Sequence, residues 1–204
     1  MKRILFLECS PHAQDSLSAG LVLRALAPLE SQHHGVRVIT RNLALDPLAM
    51  PSARYARAIT ASAQPDDPAF ALSESLISEL ESSDGLLICT PLHNFTVPAT
   101  LKLWIDLVLR RGRSFTVGQD GKVGLLRDRP ALVLLRSGSQ CAGEGSTQPD
   151  FLTPYLRHVL SVIGIHNVQF VYLPGSSPTA EALAQACNAL HSLFFTSFST
   201  GAPP

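Results

Sequence analysis

The sequence predicts an α/β fold: one domain over residues 1–204, with a parallel sheet of five strands in the order 2-1-3-4-5 and helices on both faces. Three features lead there. Short apolar runs alternate with stretches of helical periodicity along the whole chain. No internal repeat interrupts that alternation, and right-handed crossovers then give a parallel sheet. Finally, three of the runs end in short polar loops, the places where open α/β sheets hold ligands.

Arg3-Ile4-Leu5-Phe6-Leu7-Glu8 is near-continuously apolar, as expected of a strand buried on both faces. The loop 9–18 is polar and rich in hydroxyls. Leu21, Val22, Ala25, Leu26 and Leu29 then recur at helical spacing, with Ser16 and Ser18 as N-cap candidates. After Gly35, residues 36–40 alternate like a strand nearer the sheet edge. Residues 50–68 form no clear amphipathic unit, apart from a short helix candidate over 54–59.

Asp67-Pro68 marks a helix start, with Phe70, Leu72, Leu76, Ile77 and Leu80 on its apolar face. Leu86-Leu87-Ile88-Cys89-Thr90 is a buried strand that stops at Pro91 and delivers the loop Leu92-His93-Asn94-Phe95. Pro98 opens a helix through Leu101, Leu103, Trp104, Ile105, Leu107, Val108 and Leu109 to Gly112. That helix is apolar on more than one side, which predicts packing on the sheet and on a second surface such as a partner subunit.

Residues 115–126 read as a hairpin-like flap turning at 118–121. Residues 131–136 are a buried strand leading into Ser137-Gly138-Ser139-Gln140. A helix over 151–164, a last strand over 168–173, a closing helix over 179–195 and a frayed tail over 200–204 complete the chain.

Composition narrows the function. Lys+Arg and Asp+Glu both number 16, so the formal net charge is zero, without the basic excess of a nucleic-acid binder. The four cysteines, Cys9, Cys89, Cys141 and Cys187, are scattered with no CxxC, so no metal site is expected. The chain runs directly into a strand with no leader pattern, and no apolar run approaches ~18 residues. A soluble, cytoplasmic protein without membrane attachment is expected.

In the predicted strand order the loops after strands 1, 3 and 4 converge on one crevice. The first, Ser10 through Ser18, opens a helix and suits a phosphate through backbone N–H groups and the helix dipole. It lacks GxxxxGK[ST] and GxGxxG, which argues against the usual triphosphate and dinucleotide sites. A neutral hydroxyl loop suits a terminal monophosphate such as that of FMN. The plainer reading is that Ser16 and Ser18 only cap the helix. No G-x-S-x-G elbow supports a hydrolase.

Pro91-Leu92-His93-Asn94-Phe95, followed by Pro98, Leu101-Lys102 and Asp106-Leu107-Val108, resembles the FMN-dependent NADH-azoreductase family, flavodoxin-like quinone and azo-dye reductases. The likeness extends to Ser10 and Ser16-Leu17-Ser18, to Arg113-Ser114-Phe115-Thr116 with Gly124-Leu125, and to Thr153-Pro154-Tyr155-Leu156 with Gly164-Ile165. It is weakest over 50–68 and past 175.

The resemblance implies that Ser10, Ser16, Leu17 and Ser18 hold the FMN phosphate and that Leu92, His93, Asn94 and Phe95 lie along the flavin ring. Arg136, Ser137, Gly138 and Ser139 then meet the ring's other polar side. It implies one FMN per subunit of a homodimer, NADH or NADPH as donor, and quinone or azo-aromatic acceptors that take the donor's place in a ping-pong cycle. The chain departs from the family at His93, where a tyrosine is common, at Arg136 to Ser139, where a Ser-Arg-Gly-Gly-like run is usual, and at Leu17, which replaces a glutamine.

The flavin carries the chemistry in such enzymes, so no catalytic side chain is required, and His93 is the candidate proton donor. His12 is a weaker candidate, while His33, His34, His158, His166 and His191 read as structural. Phe95 and Phe115 are expected as pocket walls, and Trp104 as packing or dimer contact. The alternative function is an FMN-binding electron carrier or regulatory module without NAD(P)H turnover. Carriers of this fold are usually strongly acidic, and this chain is neutral.

Overall fold

A computed structural model describes residues 2–12, 15–31 and 36–193. His33 and His34, residues 194–195 of the closing helix and the tail 200–204 lie outside the described residues. Strands β1 (Lys2–Glu8), β2 (Val36–Asn42), β3 (Gly85–Pro91), β6 (Ala131–Ser137) and β7 (Val168–Pro174) form one parallel sheet in the order β2-β1-β3-β6-β7. Strands β4 (Phe115–Gly118) and β5 (Gly121–Gly124) pair separately as the antiparallel hairpin. Counting the sheet strands alone, this is the predicted order 2-1-3-4-5.

Side chains alternate along each strand, so the central strands feed two apolar clusters. Leu5, Leu7, Ile88 and Val133 join residues of α3 (Ala71–Glu81), α4 (Ala99–Val108) and α5 (Leu152–Val162). Ile4, Phe6, Leu87 and Leu134 join residues of α1 (Leu17–Ser31) and α6 (Ala180–His191). Continuous burial of β1, β3 and β6 is why these strands read as apolar runs, whereas the half-buried β2 alternates at the edge.

The weakly patterned segment holds a short helix, α2 (Ala53–Thr60), capped by the Ser52 hydroxyl, which accepts from Tyr55 N–H at 3.2 Å. At Asp67-Pro68 the Asp67 carboxylate accepts from Ala69 N–H at 2.7 Å and starts a 3₁₀ turn, Pro68–Phe70, that runs into α3.

One expectation about α4 needs correction. The helix ends at Val108 and not at Gly112. The Ser114 hydroxyl turns back on the Val108 carbonyl, Arg110 N–H donates to Ser114 Oγ at 3.0 Å, and Gly112 takes a positive φ of 77°. The buried Arg110 guanidinium pairs with Glu74 and lies 4.7 Å from the Phe70 ring centroid.

The second surface expected for α4 is found in part within the chain, on α3. Leu76, Ile77 and Leu80 of α3 share its cluster, and Ser73 Oγ donates to Leu107 O at 2.6 Å. Trp104 is fully buried there as packing.

Candidate functional site

The ends of β1, β3 and β6 open onto one cleft of about 700 Å³, within the ordinary range of small-molecule sites. Each arrives there because a buried strand runs out of apolar residues and hands over to a polar loop. The cleft lies where the strand order reverses between β1 and β3, the position at which open α/β sheets bind their ligands. Of the sequence-predicted residues, Ser10, Ser16, Leu17, Leu92, His93, Arg136, Ser137 and Gly138 line it.

In the first loop two serine hydroxyls turn back on backbone amides. Ser16 caps α1, its hydroxyl accepting from Ala19 N–H at 3.4 Å, and Ser10 Oγ accepts from His12 N–H at 3.2 Å. The first-turn amides of a helix have no acceptor of their own, and α1 carries no acidic residue there to compete for them. Ser18 Oγ does not line the cleft; it is buried one residue beyond the lining Leu17, with no hydrogen-bond partner among the described residues. A buried hydroxyl without a partner costs free energy, so a group that supplies one fits this loop. A terminal phosphate is such a group.

Beyond β3 the chain makes a tight turn from His93 to Thr96. His93 is exposed on the cleft side, while Asn94 and Phe95 sit at the exposed tip and do not line the cleft. Beyond β6, Arg136 is the single Lys or Arg among the described lining residues. Its guanidinium donates to Leu173 O at 3.0 Å and Ser176 O at 3.3 Å, and burial lowers its pKa. The Ser137 hydroxyl donates to Ser139 O, so Ser139 shapes the loop without lining the cleft.

His12, Asp15, Gly175 and Ser176 also line the cleft. The last two belong to a segment that the sequence marked only as a turn after strand five. Its placement rests on Gly175 N–H donating to Ser137 O at 2.8 Å, a contact between distant segments that local pattern does not carry.

Phe115 does not wall this cleft. It is buried and lines a separate cavity of about 610 Å³ with Ile59, Phe70 and Arg110. The reason is the end of α4, which turns β4 back toward α2 and α3.

Sequence reasoning missed Glu8. It closes β1 at 1% exposure, with Oε1 accepting from Ser10 N–H at 2.8 Å and Oε2 lying 3.5 Å from Ser16 Oγ as acceptor. Burial pushes its carboxyl up to about 7, against a smaller opposing pull from those donors. The available signal was a carboxylate ending an otherwise apolar strand.

A five-stranded parallel sheet in this order, with a polar-looped cleft at the β1/β3 reversal, defines a flavodoxin-like protein. A family model for the flavodoxin-like fold matches residues 2–194. An "FMN-dependent NADH:quinone oxidoreductase 5" of Burkholderia lata is 53% identical over 183 residues, covering 90% of both chains. One of Pseudomonas fluorescens, numbered 4, is 49% identical over 175 residues, covering 86% of this chain and 85% of its own. Among solved structures, an FMN-dependent NADH-azoreductase of Bacillus anthracis in complex with FMN superposes with a TM-score of 0.75 at 23% identity, covering 94% of this chain and 97% of that one. The chain belongs to the flavodoxin-like family of FMN-dependent NADH:quinone oxidoreductases.

Proposed function

We propose that the whole chain acts as one doubly wound FMN-binding domain. It would pass electrons from NADH or NADPH to quinones and azo compounds by a ping-pong mechanism. The observation that carries this reading is the convergence of three polar strand exits on one cleft, with an unpartnered buried hydroxyl, Ser18 Oγ, behind the first loop. The oxidoreductase names of relatives at 53% and 49% identity support it. The division of the helices between the two apolar clusters supports the doubly wound description. No described helix is long and apolar enough to cross a membrane, and a cytoplasmic homodimer with one FMN per subunit completes the reading.

Bound FMN supplies reversible hydride and electron acceptance, and the protein supplies placement. Ser10, Ser16, Leu17 and Ser18 would hold the phosphate, the first two through loop hydroxyls and amides, the others from the first turn of α1. Leu92 and His93 form one wall beside the ring, and Asn94 and Phe95 shape the turn that presents them. Arg136, Ser137 and Gly138 form the opposite wall, with Ser139 fixing the Ser137 rotamer. The Arg136 guanidinium lines the cleft and would offer positive charge to a reduced flavin held there and to anionic acceptors. His93, exposed on the cleft side, stands where it can hand a proton to the departing product.

Anaerobic mixing of the FMN-loaded protein with NADH, then with a quinone or an azo dye, tests this. Bleaching of the flavin absorbance by NADH and its return with acceptor, with parallel double-reciprocal plots in steady state, is the expected result. A flavin that binds but is not bleached by NADH or NADPH indicates an electron carrier. No flavin binding at all overturns the reading.

A further inference from the structure

Glu8 lies between Asn42 of β2 and Cys89 of β3 in the sheet, and no Lys, Arg or His forms an ion pair with it among the described residues. Its two oxygens instead take up Ser10 N–H and the Ser16 hydroxyl. Both donors line the cleft, in the loop assigned above to the cofactor phosphate. An internal carboxylate therefore occupies the donors that an incoming phosphate needs.

We propose that Glu8 is a stand-in for the cofactor phosphate: it holds Ser10 and Ser16 in place in the ligand-free chain and takes up one proton when a phosphate monoester binds. The inference rests on the reading that the FMN phosphate sits in this loop. Two anions sharing one set of donors in a water-poor site do not both stay ionised. The phosphate carries close to two negative charges at neutral pH, so the single carboxylate is the group that yields. As a neutral acid, Glu8 releases Ser10 N–H and offers its own O–H to a phosphate oxygen.

The surroundings favour this exchange. Cys9 on β1 and Cys89 on β3 are the titratable groups beside Glu8, and burial pushes both thiols up so that they remain neutral. Asn42 on β2 and Ser16 at the start of α1 carry no charge. His12 and Asp15 stand exposed on the loop above, lining the cleft. Glu8 already titrates near neutrality before a ligand arrives, at about 7. Above that pH, binding must draw a proton from solvent, so FMN affinity falls about tenfold per pH unit. The second ionisation of a phosphate monoester, near pH ~6, lies below this window.

Flavin-free protein titrated with FMN from about pH 7 to about pH 9, followed by quenching of flavin fluorescence, tests the proposal. Riboflavin, which lacks the phosphate, is the control. The expected result is a dissociation constant that rises about tenfold per pH unit for FMN and stays flat for riboflavin. Glu8→Gln removes the slope and binds FMN more tightly than the parent at the alkaline end. Calorimetry of the unmodified protein in two buffers of different ionisation enthalpy gives an independent count, expected near one proton taken up at about pH 8. FMN binding that is flat with pH and takes up no proton overturns the proposal and leaves the FMN reading intact. A slope retained in Glu8→Gln, or shared by riboflavin, also overturns it. Absence of FMN binding at every pH overturns the FMN reading itself.

Discussion

His93 and Thr96 hold each other through two backbone hydrogen bonds, His93 N–H to Thr96 O at 2.9 Å and Thr96 N–H to His93 O at 3.0 Å. Between them Asn94 and Phe95 adopt φ of 45° and 72°, the left-handed pair of a type I′ turn. Asparagine tolerates that region, but phenylalanine gives up roughly 1 kcal/mol to sit there. The surroundings enforce it: Phe95 O accepts from Phe151 N–H at 3.0 Å, and the following Val97 and Pro98 are buried. Phe95→Gly is expected to leave unfolding free energy within about 1 kcal/mol of the parent, the relieved strain offsetting the added chain entropy. Phe95→Val, β-branched at the same φ, is expected to lose roughly 2 kcal/mol. Urea titration of both variants checks the pair.

The framework was legible because the sheet is buried on both faces. Leu86 to Cys89 and Leu132 to Leu135 have to be apolar whatever surrounds them, and they read as strands without any tertiary knowledge. The hydroxyl loop and the β6 exit were legible for the complementary reason that polar groups at buried strand ends need partners. What escaped was set by contacts between distant segments. Spacing does not reveal that Asn94 and Phe95 turn through left-handed backbone and leave the cleft to Leu92 and His93. Nor does it show that α3 covers part of the second side of α4, or that Gly175 is tied to Ser137. A glutamate after four apolar residues reads as the strand's polar exit, and only the fold encloses it.

Ser18 gives the most direct probe of the phosphate loop. Its buried hydroxyl has no partner among the described residues, so Ser18→Ala removes an unsatisfied group. The ligand-free chain is expected to become more stable by roughly 1 kcal/mol. If the FMN phosphate supplies the missing partner, the same variant binds FMN about tenfold more weakly while binding riboflavin unchanged. Melting curves with and without each flavin separate the two effects. Equal losses for FMN and riboflavin place the phosphate elsewhere.

The raised carboxyl of Glu8 also sets a pH dependence of folding. Its folded value of about 7 exceeds the ordinary 4.5, so the folded chain binds more protons than the unfolded chain between those values. The stability from this group is fully present below about pH 4.5, declines as pH rises, and is gone above about pH 7. The loss amounts to roughly 3 kcal/mol across that interval. Glu8→Gln is expected to flatten this contribution and to exceed the flavin-free parent in stability at about pH 8. Denaturant titrations at several pH values measure it, and a parent profile equal to that of the variant refutes the assignment.

Gly124 and Gly164 meet backbone to backbone where the β4–β5 hairpin returns to the end of α5. A Cβ on Gly124 would overlap the Gly164 backbone, and a Cβ on Gly164, where φ is +100°, would overlap the Leu126 carbonyl. Leu126 N–H closes the contact by donating to Ile163 O at 3.1 Å. Gly124→Ala must push two backbones apart, and overpacking of this kind costs roughly 3 kcal/mol. At this chain length that is a fall of about 6–12 °C in Tm. Gly164→Ala is expected to lose more, because a strained φ adds to the overlap. Gly20 in α1 supplies the contrast: a Cβ there meets nothing within 4 Å, and Gly20→Ala is expected to gain up to about 1 kcal/mol from helix propensity. Thermal melts of the three variants rank them as Gly20→Ala above the parent, then Gly124→Ala, then Gly164→Ala. A Gly124→Ala protein that melts with the parent shows that the hairpin does not need this close approach.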